Sequence, residues 1–228
     1  MIAKRALDVL LTGVALVVAA PLLAAAAIGI RLASRGPILY RAQRVGRDQR
    51  PFTMYKLRTM RVGQAYTSVV TAKDDPRIFP FGALLRRTKL DELPQLYNVL
   101  RGDMAIVGPR PEDPQMVEQF YTPLQHETFR VLPGLTSPGS IYAYTHGEAE
   151  LDVRDPHGSY AERLLPLKLA LDLVYVRRAS FGYDLELIWR TAWMLGTALL
   201  GRRAFPLPRE LADARRIMAE DGAARMTA

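Results

Sequence analysis

Cysteine is absent from the 228 residues, which excludes disulfides, cysteine-based zinc sites and a thiol nucleophile. Histidine is scarce. His126, His146 and His157 show no metal-ligand spacing, so each is read as an ordinary surface or loop residue. Acids are outnumbered, 23 Asp and Glu against 31 Lys and Arg, for a net charge of +8. That balance suits anionic partners: nucleic acid, a membrane surface or phosphorylated substrates. Nucleic acid is set aside, because no helix-like stretch gathers Lys and Arg with aromatics on one face. The chain also lacks internal repeats and low-complexity blocks, and its length suits one domain with appendages.

Charge is missing altogether from Val9 to Ile30, VLLTGVALVVAAPLLAAAAIGI. As a straight helix this run is long enough to cross a hydrocarbon core of roughly 30 Å. A cleaved signal peptide is the lesser reading, since its apolar core would end after about 7–15 residues. Pro21 falls mid-run, where it removes a backbone hydrogen bond and favours a kink. Each half is then too short to span alone. Lys4 and Arg5 precede the run and Arg31 and Arg35 follow it, so the positive-inside rule gives no direction. The residues alone leave a spanning and a re-entrant helix both open.

Seven Lys or Arg follow between Arg35 and Arg58, among β-type patches at Ile38–Tyr40 and Phe52–Leu57 punctuated by Gly36-Pro37 and Gly46. They suit a headgroup-facing surface or a phosphate cradle. Residues 64–76 read as a loop or short strand. Gly82 to Leu90 reads as a short amphipathic helix. A second helix is expected from Glu92 to Leu100, because Leu93, Leu96, Tyr97 and Leu100 recur at helical spacing and Gly102 is a C-cap candidate. Pro94 is tolerated only in its first turn; a start at Thr88 ranks second. The run LPGLTSPGSIYAYTHGEAE is turn-rich. From Tyr160 to Arg178 a helix is expected, interrupted near Pro166. LELIWRTAWMLGTALL, with Glu186, Arg190 and two tryptophans, reads as an interfacial helix. The tail from Gly201 reads as loosely held.

The chemistry gathers in TKLDELPQLYNVLRGDMAIVGPRPEDP. Paired acids at a helix start are usually caps. In a first turn the helix dipole keeps them ionised and favours a bound phosphate. An ionised Asp91 can attack phosphorus, and Glu92 can hold Mg²⁺ against phosphate oxygens. Arg86 and Arg87 lie close upstream. Pro109 and Pro111 stiffen Arg110, which then loses little entropy in gripping a phosphate through two hydrogen bonds.

The segments KRALDVLL, GPILYRAQRVGRDQRPFTMYKLRTM, DDPRIFPFGALLRRTKLDELPQLYNVLRGDMAIVGPRP and LDLVYVRRASFGYDLELI resemble the bacterial sugar transferases, the monotopic phosphoglycosyl transferases, over residues 3 to 200. The resemblance implies transfer of a sugar 1-phosphate from a UDP-sugar to undecaprenyl phosphate with release of UMP, starting assembly of O-antigen, capsule or exopolysaccharide. It implies Asp91 as nucleophile, Glu92 as Mg²⁺ ligand and Arg86 and Arg110 as phosphate ligands. Lys56 and Arg58 fall in its basic K-x-R-T-M element. It implies a membrane helix that re-enters by breaking at Pro21. The expected fold is mixed α/β and helix-dominated: a re-entrant helix (1–35), a small catalytic core with interfacial helices (36–200) and a charged tail (201–228). The expected location is the cytoplasmic face of the bacterial inner membrane, with membrane lipids and a second copy, as a homodimer, as candidate partners.

One segment departs from the family pattern. Leu132 stands for an arginine, Ser137-Pro138 for Gly-Trp, and a later arginine is not evident. Tyr142, Tyr144, His146 and Glu148 are candidates for a different sugar pocket there. Two rival functions remain: a direct nucleotide-sugar glycosyltransferase releasing UDP, and a non-enzymatic membrane protein that recruits partners.

Overall fold

The computed structural model describes residues 2–63, 75–152 and 155–226. It opens with α1 (Ile2–Ala33), then pairs β1 (Leu39–Val45) with β2 (Pro51–Leu57) as an antiparallel hairpin. The expected β-patch at Ile38–Tyr40 overlaps the start of β1, and that at Phe52–Leu57 makes up nearly all of β2. Its tip follows Gly46, with Asp48 and Gln49 at positive φ. The segment expected as a loop or strand at 64–76 lies outside the described residues except for its last two.

Next come α2 (Pro80–Arg87), a 3₁₀ turn at Leu90–Glu92, α3 (Gln95–Arg101), β3 (Ala105–Val107) and α4 (Pro114–Phe120). β4 (Gly134–Thr136) pairs parallel with β3. The two backbones cross at Gly108 and Gly134, where a Cβ on either residue would collide with the other strand's backbone. Then follow α5 (Pro138–Thr145), the short α6 (Gly147–Glu150) and α7 (Pro156–Ser159), a π-helical turn at Tyr160–Leu164, α8 (Leu165–Arg178), α9 (Phe181–Leu199) and α10 (Leu211–Met226). Helix dominates, as expected.

Several boundaries move, each for a physical reason. α2 starts two residues before Gly82, because Pro80 occupies its first turn. It stops before Lys89, which is left-handed at φ 59°. α3 begins only after Pro94, so the acids sit in the 3₁₀ turn upstream rather than in an α-helical first turn. Gly102, at φ 89°, does cap α3. The turn-rich run contains helix: Ser137 accepts from the Ser140 N–H, and Pro138 starts α5 rather than breaking it. The interruption near Pro166 is the π-helical turn just before it.

Two expectations are corrected outright. α1 stays helical through Pro21, so the backbone does not break there. A proline removes one backbone donor, and the turns on either side of it keep helical backbone. The tail is not loosely held. Ala214 and Ile217 of α10 are buried against α8, and buried Glu210 accepts from Tyr183 and Arg190 at 2.7 and 2.6 Å. Alternating charges masked that apolar pair, spaced i, i+3.

α1 is the one described helix long and apolar enough to cross a membrane, with mean hydropathy 2.4. Both of its ends nevertheless dock on the same globular body. Near the start, Lys4 binds Asp184 at 2.7 Å, Arg5 donates to the Val99 and Leu100 carbonyls, and Asp8 accepts from the Ile106 N–H. Near the end, Ala26 and Ile30 pack with Leu57, Phe79 and Leu85. Between them Leu10, Val14, Val17, Val18 and Leu22 are exposed.

Candidate active site

The acid turn is built by local backbone bonds. The Glu92 N–H donates to the Lys89 carbonyl at 3.1 Å, and left-handed Lys89 turns the chain out of α2. Asn98, fully buried, fixes the turn against the hairpin. Its amide donates to the Thr53 carbonyl at 2.7 Å and accepts from the Tyr55 N–H at 3.1 Å. α3 therefore has one register on β2, and that register brings Lys56 to Glu92.

Glu92 is clamped. Arg110 donates from both terminal nitrogens, at 3.1 Å to Oε2 and 2.6 Å to Oε1. Lys56 and Lys89 approach the same carboxylate at 3.4 and 3.8 Å. Burial pushes the Glu92 carboxyl up, but these three cations outweigh it and hold it well below the usual carboxylate range. Burial lowers Lys56 to about 8, with Glu92 opposing.

Asp91 is the opposite case. It is 8% exposed, and its Oδ1 is buried without a hydrogen-bond partner among the described residues. Burial, then the neighbouring Glu92, raises its pKa, while Lys56, Lys89 and Arg86 oppose the shift. A desolvated carboxylate oxygen with no hydrogen bond to break among the described residues is well prepared to attack an electrophile.

The arginine loop is fastened at several points. The Gly134 N–H donates to the Pro109 carbonyl at 2.8 Å, and the Val45 N–H to that of Glu112 at 3.1 Å. Arg44 binds Asp113 at 2.6 Å. Buried Lys168 pairs with the Glu112 side chain, which also accepts from Tyr160 at 2.6 Å. Burial pushes nearby Asp172 up to about 6, against the pull of Lys168. Lys89, Asn98, Glu112, Tyr160, Lys168 and Asp172 escaped sequence reading. Only Lys89 and Glu112 carried a signal, adjacency to the acid pair and to the Pro-Arg-Pro turn.

The remaining expected residues divide. Arg86 lies in the last turn of α2 and acts on Asp91 through its charge. Arg58 is not at the site. The residue is 4% exposed, and its guanidinium donates to Ser34 Oγ and the Ser34, Pro37 and Met60 carbonyls. It is a clamp between the end of α1 and the end of β2: the strand stops at Leu57, so the alternation that would put residue 58 on the face of Lys56 no longer applies. Helical spacing splits the candidate sugar pocket. Tyr142 and His146, at i and i+4, stack at 5.2 Å on the face where Tyr142 is buried in the core. Tyr144 points elsewhere, under Lys89 at 5.1 Å. The Glu148 side chain lies outside those described.

A cavity of about 350 Å³ adjoins the turn, with Lys89, Glu92, Arg110 and Tyr144 on its wall. Mg²⁺, expected at Glu92, fits the chemistry of the donors. Oε2 accepts one bond, from Arg110, which leaves it a lone pair, and one carboxylate with phosphate oxygens is a usual Mg²⁺ set. Among the described residues no group of three or more His, Asp or Glu side chains is placed to hold a metal. Glu92 would then share a bound Mg²⁺ with oxygens of a phosphorylated ligand.

The Bacterial sugar transferase family model matches residues 1–198. A Bacillus subtilis protein provisionally named an undecaprenyl-phosphate N-acetylgalactosaminyl 1-phosphate transferase is 43% identical over 132 residues, 58% of this chain and 74% of that protein. The Rhizobium leguminosarum exopolysaccharide production protein PSS is 37% identical, over 84% of this chain and 94% of its own length. The Xanthomonas campestris UDP-glucose:undecaprenyl-phosphate glucose-1-phosphate transferase is 36% identical over 84% of this chain, which spans 38% of that protein. With its acid turn and arginine loop inside the matched residues, the chain belongs to the bacterial sugar transferase family.

Proposed function

We propose that this chain is a phosphoglycosyl transferase that moves a sugar 1-phosphate from a UDP-sugar to undecaprenyl phosphate and releases UMP. The observation that carries the reading is the contrast within the acid pair. Asp91 has a buried carboxylate oxygen without a partner among the described residues, while Glu92 is held by three cations. In the first displacement an Asp91 oxygen attacks the phosphorus next to the sugar. The bond to the UMP oxygen breaks, and UMP leaves with the electron pair. In the second, an oxygen of the lipid phosphate attacks the same phosphorus and the bond to Asp91 breaks, restoring the carboxylate. Mg²⁺, held by Glu92, would neutralise diphosphate charge. Lys56, Lys89 and Arg110 supply fixed positive charge where charge builds on the leaving phosphate. Transfer to undecaprenyl phosphate would begin a bacterial surface glycan.

The same reading makes the protein monotopic, on the cytoplasmic face of the inner membrane. Docking of both ends of α1 on one body supports this, as do cations at both flanks, Lys4 and Arg5 before and Arg31 and Arg35 after. Exposed Trp189 and Trp193 on α9 suit headgroup depth. Product analysis over a panel of UDP-sugars with polyprenyl phosphate and Mg²⁺ tests the activity: UMP supports it, whereas UDP shows direct glycosyl transfer.

A further inference from the structure

The charged residues lining the cavity beside the acid turn meet at one point, where Lys89 and Arg110 both pair with Glu92. Leu96, Ile106, Leu135, Ile141, Ile188 and Leu195 form much of the remaining wall. A nucleotide or a sugar carries polar edges all round and would leave many of them unpaired against such walls. A hydrocarbon chain ending in one phosphate matches both parts.

Two of the helices that wall the cavity are also tied to the membrane segment. Its α9 wall is the stripe Ile188, Thr191, Ala192 and Leu195 at helical spacing, and the adjacent Trp189 is 70% exposed. The base of α1 fastens to both walls: Lys4 to Asp184 on α9, and Arg5 to the last carbonyls of α3. A chain lying in the bilayer beside α1 and α9 has a short path into the groove.

Resting on the phosphoglycosyl transfer reading, we propose that this groove holds the phosphate-proximal isoprene units of the polyprenyl phosphate acceptor, with the phosphate at Lys89 and Arg110. At about 350 Å³ the groove takes only the head-proximal part of so long a lipid. The rest stays in the bilayer.

Ala192 is small, exposed and on the groove wall, so Ala192→Phe narrows the groove at little risk to folding. Full-length protein in nanodiscs would be assayed with prenyl phosphates of increasing chain length. Excluding one isoprene-sized apolar group should raise the KM for long acceptors about tenfold or more, with the KM for the UDP-sugar unchanged. The native preference for longer over single-isoprene acceptors should flatten in the variant. Leu195→Ala, which removes wall surface without adding bulk, should act in the same direction. A rise in the UDP-sugar KM instead would give the groove to the donor, and unchanged constants, or an equal loss at every chain length, would show that no isoprene unit enters it. Either result overturns the proposal. Failure of the transfer reading would look different, with native enzyme yielding no UMP from any acceptor.

Discussion

Replacing Arg110 by lysine keeps the charge and removes the fork. In the native site Nη1 and Nη2 donate to the two Glu92 oxygens at 3.1 and 2.6 Å, and an ammonium reaches only one oxygen well. A charge-assisted hydrogen bond contributes about 1.5–3 kcal/mol, so losing one corresponds to roughly tenfold to hundredfold in kcat/KM. Arg110 and Glu92 side chains are 26% and 18% exposed, and that solvent access places the expectation toward the lower end of the range. The loop keeps its ties through Gly134, Val45 and Arg44, so expression and membrane association should stay near native. The assay is UMP release at limiting and saturating UDP-sugar, with a melting curve alongside. Near-native activity in the lysine variant would refute the bidentate role and leave charge alone.

Arg58→Met should lower stability by about 2 kcal/mol or more, through lost buried hydrogen bonds, with the UDP-sugar KM of the folded fraction unchanged; a raised KM with unaltered melting would restore a phosphate-binding role. Because burial lowers Lys56 to about 8, kcat/KM should fall through one ionisation near that pH, and Lys56→Arg should remove this alkaline limb. Stability moves oppositely: the unfolded lysine keeps its proton up to about pH 10.4, so the folded state gains between the two values as pH rises. Persistence of the limb in Lys56→Arg would assign it to another group. For topology, Ala3→Cys and Ala33→Cys, both at exposed positions in a chain without native cysteine, should resist a membrane-impermeant thiol reagent in intact cells. External labelling of one but not the other would establish a spanning helix.

The site was legible where its chemistry is local in sequence. Asp91, Glu92 and Arg110 stand out because charge, proline and glycine crowd one stretch, and the apolar run before Ile30 announces itself by lacking charge. What escaped depends on which way a side chain turns. Lys56 and Arg58 are two residues apart, yet one reaches Glu92 and the other is sealed between α1 and β2. Tyr142 and Tyr144 are likewise two apart and part company once Pro138 starts a helix. Of the supporting residues, Lys168 and Asp172 come from α8, far along the chain, and Asn98, though close to the acids, acts through bonds to β2 that no local motif announces. Proline misled in both directions: Pro21 failed to interrupt the hydrogen-bonded helix, and Pro138 opened one.

The most direct test of Asp91 as nucleophile omits the lipid. Full-length protein given a UDP-sugar substrate and Mg²⁺ alone should release UMP in proportion to enzyme and gain the mass of one phosphosugar, located at Asp91 by peptide mapping. Asp91→Asn should show neither, because an amide is a far poorer nucleophile than a carboxylate. UMP that appears only once polyprenyl phosphate is added, with no adduct trapped, would mean direct attack by the lipid phosphate and leave Asp91 as a base or metal ligand.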